Sequence, residues 1–193
     1  MNRAAGTKSF TQCVAERREL MQLDEHGAAM TRAVDVVVAA LRAGGRVFFF
    51  GNGGSAAEAQ HLAAELSGRF LIDRPAYAGL ALTVDTSALT AIANDYGYEH
   101  VFARQLEGLA RPGDVAVGMS TSGESANVVR GLRTARTKGA TTIAFSGNGG
   151  GAMTRESDIA FIGPAGPSWK VQEVHLALGH ILCELVEAAL AAS

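Results

Sequence analysis

The stretch GNGGSAAEAQHLAAEL, Gly51–Leu66, follows the apolar run Val47–Phe50 and opens on a turn made almost entirely of glycine. RVFFFG before it predicts a buried strand, and SAAEAQHLAAELSGRF after it predicts a helix with Ser55 at the N-cap position. Working outward, GLALTV (79–84), DVAVGMS (114–120), TTIAFSG (141–147) and DIAFIG (158–163) predict four further strands. Between them, helices are expected at about 87–95, 100–110, 124–138 and 149–156, with a long final helix near 170–191. Residues 8–43 carry a helical period, with Gly27 as an expected break and RAGG (42–45) as a stop. Apolar strands alternating with helices predict an α/β fold, a parallel sheet covered on both faces. Ligands of such sheets bind at the carboxyl ends of the strands, where the glycine and serine loops fall.

The 193 residues suffice for one domain with a full core, so a single domain spanning 1–193 is expected. A net charge of -2, with both signs dispersed, argues against nucleic acid and anionic membrane as partners. Cys13 and Cys183 lack any CxxC spacing and read as two free thiols in a reducing compartment. MNRAAGTKSFTQ has no apolar core of a signal peptide. The apolar tail HLALGHILCELVEAALAA contains His175, His180, Glu184 and Glu187, and reads as a buried amphipathic helix. A cytoplasmic protein is expected.

GNGGSA matches G-x-G-x-x-A, and Asp73 stands about where a ribose-binding acid would be sought. Against a dinucleotide, Asp73 follows only RFLI and precedes Arg74-Pro75, a poor second strand. Nothing downstream supplies a second nucleotide-binding half. The second loop, GMSTSGESAN (118–127), gathers Ser120, Thr121, Ser122 and Ser125 around Gly123 before a helix. Hydroxyls and free N–H groups at a helix N-terminus suit an anion. Four hydroxyls in six positions exceed what capping needs, and a phosphate or other sugar-borne anion is the expected ligand. There is no GK[ST] for a nucleoside triphosphate.

His61 and Glu65 share a helix face at i, i+4. On the final helix, Gln172 and His180 lie about two turns apart on one side. Either pair alone is ordinary helix surface chemistry. Together they offer two histidines, a glutamate and a glutamine able to hold Zn2+ or a similar divalent ion. Glu65 and His180 also suit direct proton transfer. His26 and His100 have no such companions and read as structural, and His175 as packing or support.

The segments GNGGSAAEAQHLAAEL, LTAIANDYGYEHVFARQLEGLARPGD, STSGESANV and VQEVHLALGH together resemble the phosphoheptose isomerases of the sugar isomerase (SIS) domain superfamily. The resemblance runs from about residue 10 to the C-terminus. It implies a flavodoxin-like three-layer α/β/α fold and a homotetramer built partly on the helices of residues 8–43, with active sites at subunit interfaces. It also implies conversion of D-sedoheptulose 7-phosphate into D-glycero-D-manno-heptose 7-phosphate. By the same resemblance, Ser120, Thr121, Ser122 and Ser125 bind the phosphate, and Asn52, Gly53, Gly54, Ser55, Asn94, Asp95 and Gln172 bind the sugar. His61, Glu65, Gln172 and His180 match zinc ligands, one Zn2+ per subunit, and Glu65 and His180 match the acid/base residues. One departure stands out: the family commonly carries an acid just before the QExH segment, whereas Pro167, Ser168 and Trp169 occupy that region here. Two alternatives follow from the resemblance: a non-catalytic SIS module that binds a phosphosugar or a protein, and an isomerase of a different ketose phosphate.

Overall fold

The computed structural model describes residues 8–192. Five parallel strands form one sheet: β1 (Val47–Gly51), β2 (Gly79–Ala81), β3 (Val115–Ser120), β4 (Thr141–Ser146) and β5 (Ile159–Ile162), in the order β2-β1-β3-β4-β5. Val47 aligns with Val115 and Val115 with Thr141, so the central strands are in step. This is the flavodoxin-like order of a doubly wound sheet, which reverses direction of winding between β1 and β3. The chain therefore opens a crevice at the carboxyl ends of those two strands.

Side chains alternate across the sheet, and both faces are apolar because both are covered. Val47, Phe49, Val117, Met119 and Phe145 pack with α2 (Gly27–Arg42), α3 (Gly54–Ser67) and α8 (Ser168–Ala191). Phe48, Phe50, Ala116 and Ala144 face the other core, with Phe102 of α5 (Val101–Leu109), Leu132 of α6 (Ala126–Thr137) and Met153 of α7 (Gly151–Arg155). The helix α4 (Thr86–Tyr96) adds Leu89 and Ile92 at its edge. The result is the three-layer α/β/α sandwich expected.

Two local expectations are corrected. Gly27 is not a break: α1 (Phe10–Leu20) ends before it, and a 3-10 turn at Asp24–His26 leads straight into α2, which Gly27 opens. Nor does Ser55 cap α3; the N-cap is Gly53, and Ser55 lies inside the first turn, 2 % exposed. Asp73 lies in an irregular segment after α3, not at the end of a strand.

α8 is long and apolar enough, by length and composition, to cross a membrane. In the fold it lies along α2 and α3 and contributes Val174, Leu178, Leu182 and Val186 to the core. Gly179 permits this: a Cβ there would stand 2.6 Å from a Leu62 methyl, closer than carbon atoms approach. α1 buries none of its residues and is tied to the start of α8 by polar contacts. Arg17 Nε donates to Glu173 at 3.0 Å, and its guanidinium lies 4.4 Å from the centre of the Trp169 ring. Cys13 and Cys183 are both free thiols.

Candidate active site

The crevice between β1 and β3 is walled by the two loops quoted above. Gly53 sits at φ 55, ψ -120, a conformation that costs an L side chain dearly, and a Cβ on Gly54 would collide with the Gln172 amide. The two glycines therefore let backbone and α8 close on one another. Asn52 and Asn127 exchange amide hydrogen bonds, Asn52 Nδ2 to Asn127 Oδ1 at 2.9 Å and Asn127 Nδ2 to Asn52 Oδ1 at 2.8 Å. Tyr98 Oη also donates to Asn52 Oδ1, at 3.2 Å, and the Val128 N–H to Asn127 Oδ1, at 3.0 Å. The Asn52 side chain is thus committed to holding the two loops together. Asn127, only 4 % exposed, was missed from the sequence, although an amide in the first turn of a helix, where it favours neither helix nor core, was a usable signal.

On the facing loop, Ser120 Oγ lies 2.8 Å from Ser125 Oγ and 3.2 Å from Ser122 Oγ. Ser125 is the N-cap residue of α6, yet its hydroxyl makes no capping bond. The capping explanation fails here, and the hydroxyl is left pointing at its neighbours in the crevice. Thr121 instead donates across the opening to Ser168 Oγ at 3.1 Å. Asn52, Gly53, Gly54, Ser55, Met119, Ser120, Thr121, Ser125, Ser168 and Gln172 enclose a cleft of about 360 Å³. Among the described residues, no charged side chain lines it. Ser168 was not anticipated as a site residue, because it stands in the segment that departs from the family pattern. Asn94 and Asp95 are not among the lining residues; they stand on the exposed last turn of α4, with Asn94 Nδ2 donating to Asp95 Oδ1 at 2.8 Å.

A larger cleft, about 500 Å³, opens between the α1–α2 turn and the end of β5, lined by Glu19, Asp24, Glu25, His26 and Ile162 among others. Its carboxylates repel an anion, and no nucleophile or hydroxyl cluster faces it. The hydroxyl cluster faces the smaller cleft.

A second cluster lies further along α3 and α8. His61 Nε2 is 2.7 Å from His180 Nε2 and 3.3 Å from Glu65 Oε1, and the two imidazoles meet edge to face. The close Leu62–Gly179 approach brings these residues together. Their ligand atoms all lie within 4.8 Å of one another. Tetrahedral bonds of about 2.0–2.1 Å put ligand atoms about 3.3 Å apart, so a zinc ion fits this donor set once the histidines part by roughly half an ångström. Gln172 is not with them. Within one chain it stands eight residues, about 12 Å of helix, from His180, beside Gly54 in the cleft. Likewise Ser55 and Glu65 are separated by ten residues of α3, about 15 Å.

Several other titratable groups lie outside both clusters. His175, wholly buried, places Nε2 3.0 Å from the Ser146 carbonyl oxygen, and burial lowers its pKa to about 4. Glu58, 9 % exposed, is raised to about 7 by burial against the opposing effect of the Ser55 hydroxyl. Burial, with Glu65 nearby, lifts the Cys183 thiol to about 12, which leaves it unreactive. His26 is buried against Phe161, and His100 lies beside Glu99, both apart from the cleft.

The SIS domain family matches residues 10–147. A phosphoheptose isomerase of Rhodospirillum rubrum is 49 % identical over 183 residues, 95 % of this chain and 96 % of that protein. The structure of a phosphoheptose isomerase from Neisseria gonorrhoeae superposes with a TM-score of 0.83 at 37 % identity, covering 93 % of this chain and 95 % of that one. One from Francisella tularensis gives 0.86 at 29 %, covering 94 % and 100 %. With similarity that spans both the neutral cleft and the His61–Glu65–His180 cluster, the chain belongs to the phosphoheptose isomerase family of SIS-domain proteins.

Proposed function

We propose that the protein converts D-sedoheptulose 7-phosphate into D-glycero-D-manno-heptose 7-phosphate, the first step of activated heptose biosynthesis, in the cytoplasm. The observation that carries this is the pairing of Glu65 and His180 with His61 on adjacent helices, in a chain whose other polar cluster is a hydroxyl-lined cleft. The phosphate occupies the cleft, against Ser120, Thr121, Ser122 and Ser125. Asn52, Gly53, Gly54, Ser55 and Gln172 hold the sugar, with Asn94 and Asp95 approaching it from α4 of the same or a neighbouring chain.

Glu65 takes a proton from C1 of the open-chain ketose, and the electrons of the C–H bond form the C1–C2 double bond of an enediolate. His180 moves the proton from the C1 oxygen to the C2 oxygen and assists ring opening. The proton returned by Glu65 to C2 then leaves the aldehyde at C1. His61, Glu65, His180 and Gln172 would hold Zn2+, which, when bound, supplies a Lewis acid for the developing enediolate oxygen.

The axial separations support a composite site. An extended seven-carbon phosphate spans on the order of 10 Å, from C–C bonds of about 1.5 Å. It is shorter than the distance along α3 from Ser55 to Glu65. A second copy that brings its Glu65 and His180 to this cleft, and to this Gln172, closes the gap. Exposed Leu71 and Ile72 beside the cluster, 62 % and 42 %, and Phe10 of α1, 84 %, supply apolar surface for such an assembly. We infer a homotetramer with sites at its interfaces, in which α1 and α2 take part.

The test is a coupled assay on sedoheptulose 7-phosphate, metal-stripped and with added Zn2+, beside Glu65→Gln and His180→Gln. Wild type should form the aldoheptose phosphate, and each variant should lose on the order of hundredfold or more in kcat. A wild type that leaves the ketose unchanged in every metal condition overturns the reading.

A further inference from the structure

The hydroxyls at the end of β3 divide into two groups. Ser120 bonds both Ser122 and Ser125, whereas Thr121 turns away and donates to Ser168 Oγ on the opposite wall. Ser168 is the first residue of α8, which enters the cleft from a different side from α6. Pro167 before it provides no side-chain cap; the Lys170 N–H bonds the Pro167 carbonyl at 3.0 Å, so of the first turn of α8 it is the N–H groups of Ser168 and Trp169 that face the opening as donors. The cleft holds no Lys or Arg, and Pro167–Trp169 brings no carboxylate. Within one chain, an anion there is held by neutral donors, and each hydroxyl then carries a large share of the binding.

We propose that Ser168 is a substrate-binding residue that contacts the phosphate directly, forming with Thr121 a second wall opposite the Ser120–Ser125 group. A hydroxyl hydrogen rotates freely about its C–O bond. The Thr121 hydrogen, now donated to Ser168 Oγ, and the Ser168 hydrogen can therefore both swing to phosphate oxygens with no backbone movement. The position also places the anion at the positive end of a 24-residue helix, adding α8 to α3 and α6. A wall of hydroxyls without a carboxylate accepts a dianionic phosphate with no like-charge repulsion from its own chain, and bonds it more strongly than a neutral terminus. The inference rests on the reading that this cleft holds the phosphate.

The experiment is calorimetric titration with inorganic phosphate, alongside steady-state kinetics on sedoheptulose 7-phosphate, for Ser168→Ala, Ser168→Thr, Ser168→Asp and Ser125→Ala. Ser168→Ala should weaken phosphate binding roughly tenfold, the range of one charge-assisted hydrogen bond, and raise KM similarly with a smaller effect on kcat. Ser168→Thr should restore binding. Ser168→Asp, which sets a carboxylate against the dianion, should reduce it by at least about a hundredfold while the melting temperature is held. The proposal is overturned if Ser168→Ala and Ser168→Asp bind phosphate as wild type does while Ser125→Ala does not. Wild type that binds phosphate with the expected Ser168 dependence but isomerises no heptose leaves this contact standing and removes only the proposed reaction. Wild type with no affinity for phosphate removes both.

Discussion

The cleft and the histidine cluster are built on the same two helices, α3 and α8, yet by opposite rules. The cleft lies at the helices' N-terminal ends, where the helix dipoles and the hydroxyls on strand-end loops offer neutral donors. It has no group that changes charge near neutral pH. The cluster lies about two to three turns further on, with His61 exposed and Glu65 and His180 half-buried, and consists wholly of groups that ionise or bind metal. Neutral donors hold an anion without a change of protonation state, and ionisable groups move protons without needing to hold the rest of the ligand. Separating the two lets each be set independently. The consequence is distance, because a straight helix cannot bring its first turn to its third.

The largest effect expected from this comparison is complementation between chains. Ser125→Asp blocks the cleft and Glu65→Gln disables the cluster, so each homogeneous oligomer should be inactive, with at least a hundredfold loss. Co-expressed under two tags and purified as mixed oligomers, they should regain a measurable fraction of wild-type turnover. Some sites then combine an intact cleft from one chain with an intact cluster from the other. Mixed oligomers as inactive as their parents would place both halves of each site in one chain and remove the interface argument.

A smaller effect is expected from the clamp that orders the cleft. Asn127→Ala removes both reciprocal bonds and leaves the Asn52 amide with only Tyr98 as partner. Loss of paired buried amide groups costs about 1–3 kcal/mol. Part should appear as a lower melting temperature and part as a KM about tenfold higher, since the loops no longer hold the phosphate site in shape. If the melting temperature falls while KM is unchanged, the clamp supports the fold alone.

What could be read from the chain divides along the same line. All five strands lie where their apolar runs stand, because a strand buried on both faces is marked by local composition. The helix faces bearing His61, Glu65 and His180 were legible from the helical period. Gln172 shows the limit of that signal: the period gives a face but says nothing of which residue on it comes within bonding distance of another helix. Asn127 and Ser168 owe their roles to partners 75 and 47 residues away, a pairing no spacing encodes. Asn94 and Asp95 were assigned by resemblance, and α4 holds them outside the cleft of their own chain. Ser55 was misread as a cap because a glycine ahead of it, free to take a positive φ, starts the helix sooner.

The smallest effect concerns the stretch of each helix between the two regions, where α3 carries Glu58 and α8 carries His175, both buried. Glu58 has its folded pKa raised from 4.5 to about 7, so between those values the folded state binds more protons than the unfolded one, and stability falls as pH rises. His175 is lowered from 6.5 to about 4 by burial, so across that window the unfolded state binds more protons, and stability falls as pH falls. The two slopes oppose each other between about pH 4.5 and 6.5, and wild type should show a nearly flat stability there on their account. Glu58→Gln removes one slope and should leave stability rising with pH through that window. His175→Gln, whose amide can still donate to the Ser146 carbonyl, removes the other and should leave stability falling. Each difference should be on the order of 1 kcal/mol, after allowance for the water that reaches Glu58, and chemical denaturation at pH 4.5, 5.5, 6.5 and about 7.5 resolves it. If both variants keep the wild-type profile, neither buried group titrates as its surroundings require.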